Sequence, residues 1–517
     1  MSGRINSTAR NFAVTLFYQL VTVAFGLIIP RLFLDSYGPD IHGLTSSISN
    51  LMVYVVLLNA GLAAASIQAL YEPLAKNDTN RINAVLNAVN RSFMQTGFAY
   101  LAAVMVLSFV LPFITSQQVP GLLAFLLMLI MGSASTAECF LYSRFNVLLL
   151  ADQKLYVLNV FNIIMLVIRG VLQFVLIKAG FSILIVQAVP AATILIQAAF
   201  LKIYIKKHYP ALNRAVLPDN RALSKRWQAL VHQAAGVVVN NTDAVLLTVF
   251  GNLVLVSIYS VYQMVFSNLY ILMTMVFSQA SIASFGQLLA LKDKSSVLEN
   301  YKKYEFLYDI FISIAYSVCA VMILPFVGLY TRGIANVPYV DGTIAALFMA
   351  IGIANNLRVP GLTLINAAGL YRETKWRAIA EAAINFAVSV SLVRPLGIAG
   401  VLIGTIASFA YRTVDIILYA NRRILNVSPK RTIARACRVV VIVCLNIVIL
   451  KLPGWAPGGW GEWALDTLIT GLICVAVAFA VNAAFEYRSM VDLFRIFHSI
   501  VEAHSKKTAD CQKGERT

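Results

Sequence analysis

Long apolar runs separated by short polar or charged stretches recur fourteen times along the chain. A run of about 20 such residues is long enough to cross the hydrocarbon core of a bilayer as a helix. The runs lie at residues 11–33, 44–70, 92–114, 121–143, 155–177, 183–205, 229–250, 253–281, 305–329, 341–367, 377–393, 397–420, 437–452 and 464–485. The pattern predicts an all-α membrane protein with about 14 transmembrane helices. The connections are too short to bury a core of their own, so no separate catalytic domain is expected.

Charge orients this ladder. Of 41 Lys and Arg residues, five (Arg31, Lys178, Arg332, Arg394 and Lys451) fall on one side and three (Arg169, Arg358 and Arg412) inside runs. The other 33 share one side with both ends of the chain. Cytoplasmic loops carry the excess of Lys and Arg, which places both termini in the cytoplasm. The tryptophans agree: Trp227 and Trp376 sit at inner helix ends, and Trp455, Trp460 and Trp463 in the last outer loop. The net charge of +18 is therefore a topology signal, and no nucleic acid is expected as a partner.

Composition narrows the class further. The chain is 59% hydrophobic and 12% charged, with a mean hydropathy of +0.77, against roughly 25% charged for soluble domains. MSGRINSTAR at the start is polar and carries no cleavable signal. The six cysteines form no CxxC pair and have no metal-ligand spacing, so neither a metal nor another cofactor is expected. No acidic cluster or Gly-rich phosphate loop is visible, which argues against an enzyme.

The chain also repeats itself. Tyr37-Gly38 matches Phe250-Gly251, LAKNDTNRI (74–82) matches LALKDKSSV (289–297), Leu111-Pro112-Phe113 matches Leu324-Pro325-Phe326, and Gly180 matches Gly397. The offsets are 213, 215, 213 and 217 residues. A unit of six spans preserves orientation, so two six-helix bundles related by a pseudo-two-fold along the membrane normal are expected, plus two C-terminal helices. The expected divisions are an N-terminal bundle (1–205), a basic cytoplasmic linker (206–228), a C-terminal bundle (229–420), extra helices 13 and 14 (421–486) and a cytoplasmic tail (487–517). A ligand path is expected where the two bundles meet.

The opening RNFAVTLFYQLVTVAFGLIIPRLFLDSYGPDIHGLTSSISNL resembles the start of polysaccharide flippases of the Wzx type. These belong to the MOP exporter superfamily, with the MATE antiporters and lipid II flippases. LYEPLAKNDTNRINAVLNAVNR (70–91), LLLADQKLY (148–156), TDAVLLTVFGNLVLVSIYSVY (242–262) and INAAGLYRETKW…PLGIAGVLIGT (365–405) extend the resemblance over most of residues 4–420. It implies a protein of the bacterial cytoplasmic membrane that moves a polyprenyl-diphosphate-linked oligosaccharide from the inner to the outer leaflet by alternating access. The partners implied are the lipid-linked glycan, membrane lipids and a coupling ion, H+ or Na+. The alternative is an ion-coupled, MATE-like antiporter of small molecules.

Ionisable residues inside the runs are the candidate site residues, because a charge at membrane depth is costly and usually functional. Asp243 lies about 10 Å below the outer end of span 7, at 1.5 Å per residue. Repeat arithmetic sets it opposite Pro30, beside Arg31, so Arg31 and Asp243 are expected either to close an outer gate or to be satisfied locally. Arg169, near the middle of span 5 with no acidic residue within a turn, is the candidate for a diphosphate contact, since guanidinium binds phosphate bidentately. Arg358, in ANNLRVPG, fits either a cavity or a hinge at Pro360. Glu138 fits a coupling ion, Arg169 or Arg144. Arg412 and Asp415 are expected to satisfy each other, and Glu305, Asp309 and Glu381 to sit near water at inner helix ends. The segments 71–91 and 283–303 are read either as amphipathic surface helices or as charged ends of spans.

Overall fold

In the computed structural model, residues 2–213, 215–219, 223, 226–291, 293–334, 337–450 and 455–514 are described. They form fifteen α-helices, with no strand among them. The first seven are α1 (Ser2–Ala75), α2 (Thr79–Thr115), α3 (Gly121–Leu141), α4 (Ser143–Ala151), α5 (Leu155–Lys178), α6 (Ile183–His208) and α7 (Arg226–Phe250). The next five are α8 (Leu253–Ala290), α9 (Lys294–Tyr330), α10 (Gly342–Leu357), α11 (Val359–Ala367) and α12 (Tyr371–Leu396). The last three are α13 (Ile398–Tyr419), α14 (Lys430–Leu450) and α15 (Trp460–Gly514), with a π-turn at Ala420–Ile424.

Among the described residues, twelve helical segments are long and apolar enough to cross a membrane, and Gly236–Phe250 adds a shorter apolar helix. The chain is an all-α, multi-pass membrane protein. Each predicted run falls on a helix; residues 451–452 of the thirteenth lie outside the described residues. Helix α1 carries the first two runs. Its 74 residues are interrupted at Gly38, whose φ of +83° and ψ of 173° no other residue type adopts readily. Each half can span a bilayer alone.

The repeat anchors do the same local work in each half. Asp78 caps α2 by accepting from the Arg81 amide, and Asp293 caps α9 by accepting from the Ser296 amide. Both helices are 37 residues long and carry a proline near the end, Pro112 or Pro325. Gly180 and Gly397 both adopt positive φ, +77° and +55°. The run α3–α4–α5 is also echoed by α10–α11–α12. The breaks at Tyr142 and Arg358, and the starts of α5 and α12, all stand 216 residues apart.

The chain divides into two compact units: residues 1–264, 331–339 and 378–405, and residues 265–330, 340–377 and 406–517. In the first, α1 and α7 are tied by Thr248 donating to Ser47 at 2.7 Å and by a Tyr54–Thr242 hydroxyl bond of 2.9 Å. His42 Nδ1 bonds Ser257, which bonds the Tyr339 hydroxyl, at 2.7 and 2.8 Å. Gly43 permits this closeness, since a Cβ there would collide with the Leu253 carbonyl.

In the second unit, α9, α14 and α15 share a buried ion network. Arg435, 2% exposed, donates to Glu305 at 2.8 Å and to Glu486 at 2.7 and 3.0 Å. Thr432 also donates to Glu305, at 2.8 Å. Helix α15 departs from helical geometry at Glu486, the residue gripped by Arg431, Arg435 and Arg438.

Two expectations are settled by burial and helix length. Glu305, Asp309 and Glu381 are buried, not placed near water; for Glu305 the Arg435 guanidinium replaces the solvent. Segments 71–91 and 283–303 are largely continuous with α1, α2, α8 and α9, so the reading as charged ends of spans holds. Arg412 does pair with Asp415, at 2.6 Å, and Arg377 joins them.

Candidate functional site

Two glycines one helical turn apart build the site around Asp243. A Cβ at Gly400 would strike the Leu392 carbonyl, and one at Gly404 would strike Ser389, whose amide nitrogen would be only 2.7 Å away. Helices α12 and α13 therefore meet backbone to backbone, the packing that small residues four apart allow in membranes. That contact sets Thr405 beside Asn385 on α12.

The polar atoms then run in a chain. Asn385 Nδ2 donates to Thr405 Oγ1 at 2.9 Å, and Thr405 donates to Asp243 Oδ2 at 2.7 Å. Tyr259 of α8 donates to the same carboxylate oxygen at 3.4 Å. Asp243 is 2% exposed and Asn385 fully buried. Two oxygens of this chain, Asp243 Oδ1 and Asn385 Oδ1, are buried with no hydrogen-bond partner. Asp243 forms no ion pair among the described residues.

A buried carboxylate without a cationic partner is costly unless something neutralises it. A carboxylate and neutral oxygens suit a proton or a small hard cation, since such ions take oxygen ligands. No group of three or more His, Cys, Asp or Glu that could hold a metal gathers among the described residues, so the donors here are one charge and several dipoles.

Glu138 and Arg169 occupy a second locus in the same unit. Both lie within electrostatic reach of the Tyr142 hydroxyl, and Tyr18 of α1 also faces Arg169. Tyr142 sits at the break between α3 and α4, with φ −143° and ψ −2°. Both charged residues are partly buried, and neither side chain makes a hydrogen bond or ion pair among the described residues. Arg144 stacks over Phe145 at 4.5 Å and does not pair with Glu138.

Arg31 does not pair with Asp243. In this conformation it bonds Asp35 at 2.9 Å and the Arg332 carbonyl at 2.6 Å, the local alternative to the gate pair. Repeat arithmetic gives a height along a helix and not the face it presents. Arg358 belongs to the second unit. It is the residue where α10 gives way to α11, and its guanidinium lies 4.3 Å over the Phe409 ring. Its neighbour Asn356 is fully buried and bonded to Tyr308, Tyr316 and the Gly352 carbonyl. Within the first unit, Asp243, Arg31 and the pair Glu138 and Arg169 thus occupy separate settings.

Asn385, Thr405 and Tyr259 are missing from the candidates because single neutral polar residues in apolar helices give little signal. Two cues were present. GIAGVLIGT holds the glycine pair, and Asn385 stands 216 residues after Arg169, at the corresponding position of the repeat.

No family model and no curated protein sequence matches the chain. Solved structures do. The lipid II flippase MurJ in an inward closed conformation aligns with a TM-score of 0.66 at 14% identity, covering 93% of this chain and 99% of its own. The two chains share a fold. An inward-facing multidrug resistance MATE family transporter of the MOP superfamily aligns with a TM-score of 0.63 at 12% identity, covering 86% of this chain and 100% of its own. The eukaryotic MATE transporter AtDTX14 aligns at 0.59 and 12% identity, covering 85% and 99%. At these identities the likeness is one of fold.

Proposed function

We propose that the chain is a flippase of the Wzx type. It moves a polyprenyl-diphosphate-linked oligosaccharide between the leaflets of the bacterial cytoplasmic membrane by alternating access, with both termini in the cytoplasm. Arg169 carries this reading. A guanidinium inside a membrane-spanning helix, partly buried and without a carboxylate partner among the described residues, is a standing site for an anion. Its planar fork matches a diphosphate, the one part of such a substrate that hydrocarbon excludes most strongly. Glu138 and Tyr142 beside it supply an acceptor and a hydroxyl for sugar or diphosphate groups. Asp243, Asn385 and Thr405 form the coupling-ion site for H+ or Na+, set apart from the substrate contacts.

The test is transfer of a polyprenyl-diphosphate oligosaccharide in proteoliposomes. Arg169→Ala is expected to cut the rate by tenfold or more, and Arg169→Lys to recover only part of it.

The second reading is an ion-coupled antiporter of small cations, favoured by the unpaired carboxylates of Asp243 and Glu138. Efflux of a cationic dye, abolished by Asp243→Asn and untouched by Arg169→Ala, would select it.

A further inference from the structure

A cavity of about 340 Å³ opens between α2, α4, α6 and the segment 209–213, all within the first unit. Its size is at the lower end of small-molecule sites. Arg144, Lys202 and Lys206 line it, and no Asp or Glu does among the described residues. Leu86, Phe145 and Ile205 supply an apolar lining below them. We propose that this cavity binds a phosphate group, carried either by the headgroup of an anionic membrane lipid or by a soluble phosphate compound.

Three observations carry the proposal. Lys202 and Lys206 are one helical turn apart on α6, a like-charge spacing that is unfavourable on its own. Neither forms an ion pair or a side-chain hydrogen bond among the described residues. A bound phosphate turns that repulsion into a shared attraction, and Arg144 adds positive charge to the lining.

The wall of the cavity is also held in advance. Asn83 donates to the Ala211 carbonyl at 3.0 Å and accepts from the Asn213 amide at 3.0 Å. Asn87 donates to the carbonyls of Asn213 and Val216, at 3.2 and 2.8 Å. Tyr209 donates to Asp152 at 2.5 Å and accepts from Lys154 at 3.0 Å. Asp152 is itself paired with Lys154 at 2.8 Å, so the carboxylate bonded to this wall is already neutralised. A connecting segment pinned by six hydrogen bonds involving two asparagines and a tyrosine is a preformed rim, which lowers the ordering cost of binding.

Position supplies the third observation. The cavity sits at the end of α6, where Lys206, Lys207 and His208 close a membrane-spanning helix, which is the level of lipid headgroups. Basic pockets between transmembrane helices at that level take lipid phosphates. This inference is independent of what the protein transports.

The test uses the full-length protein in nanodiscs, with two probes. Nanodiscs with equal phosphatidylcholine and phosphatidylglycerol are analysed for lipid retained after delipidation. Pure phosphatidylcholine nanodiscs are titrated with inorganic pyrophosphate by calorimetry. The variants are the pair Lys202→Gln with Lys206→Gln, the pair with Arg at both positions, and Lys207→Gln as a neighbouring charge outside the cavity. Selective retention of phosphatidylglycerol that falls fivefold or more in the Gln pair, and persists in the Arg pair and Lys207→Gln, assigns the site to lipid. Pyrophosphate binding with the same variant pattern assigns it to a soluble phosphate. Neither probe bound, or Lys207→Gln as damaging as the Gln pair, overturns the proposal.

Discussion

A guanidinium at the middle of a transmembrane helix costs about 2.5–3.5 kcal/mol on insertion scales, and Arg169 has no carboxylate among the described residues to offset it. Asp243 poses the same problem with the opposite sign, and its neighbours answer it only in part: one oxygen is bonded and the other is not. Asp243→Asn keeps an acceptor for Thr405 and removes the charge. Folding should survive it, while the response of transport to an imposed H+ or Na+ gradient should fall at least tenfold; an unchanged response would remove the ion site. Arg435 is the structural counterpart. Removing it leaves buried Glu305 without its cationic partner, while Glu486 keeps Arg431 and Arg438, so Arg435→Ala should cost about 3–5 kcal/mol. Thermal unfolding in detergent would show this as a large fall in the midpoint, and no fall would mean the network contributes nothing. At this scale the charged members were legible because a charge interrupts an apolar run. Their partners were not. Thr405 and Asn385 look ordinary in sequence, and Arg31 finds Asp35 within its own helix and the Arg332 carbonyl, a backbone atom the sequence does not advertise.

Helices and their breaks were more legible than contacts, because a bilayer demands about 20 apolar residues and the sequence supplies them in discrete runs. The interruption of span 10 was signalled by Pro360. The matching interruption at Tyr142 has no proline and emerges only from the backbone and the constant spacing of the repeat. Burial of Glu305 was missed because a charged helix end ordinarily reaches water; the residue that covers it lies far along the chain, on α14. Gly400 and Gly404 offer the sharpest test at this level. Leu at Gly404 should drive α12 and α13 apart, lower the yield of folded protein and abolish transport, whereas Leu at Gly471, with nothing within 4 Å of its Cβ, should do neither. The cap of α9 behaves differently. Hydrogen bonds from Ser295 and Ser296 lower the Asp293 carboxyl from 3.8 to about 2. Its contribution is therefore fully present above about pH 3.8 and is lost as the pH falls through about 2. A carboxyl titration followed by infrared difference spectroscopy on Asp293→Asn and the unmodified protein should place the missing group near 2; a value near 4 would mean the cap is not formed.

For the molecule as a whole, the charge asymmetry predicts an orientation that cysteine labelling can read. A cysteine placed at residue 213 should react only from the cytoplasm and one at residue 457 only from outside; the reverse would invert the topology. The likeness to MurJ and the MATE transporters covers 93% and 86% of the chain and is one of fold, so the proposed lipid-linked anion and its alternative, a small cation, are separated by experiment. Electrostatics would divide the two, since Arg169, with no carboxylate partner among the described residues, would repel a cation and hold a diphosphate under the proposed reading. The decisive measurement is the initial rate of polyprenyl-diphosphate oligosaccharide transfer in proteoliposomes, for the unmodified protein, Arg169→Ala and Arg169→Lys, each reconstituted to equal density. Rapid transfer that falls tenfold or more in Arg169→Ala and partly returns in Arg169→Lys is the expected result. Transfer indistinguishable among the three, or absent from the unmodified protein, would contradict a diphosphate contact at Arg169 and the flippase reading built on it.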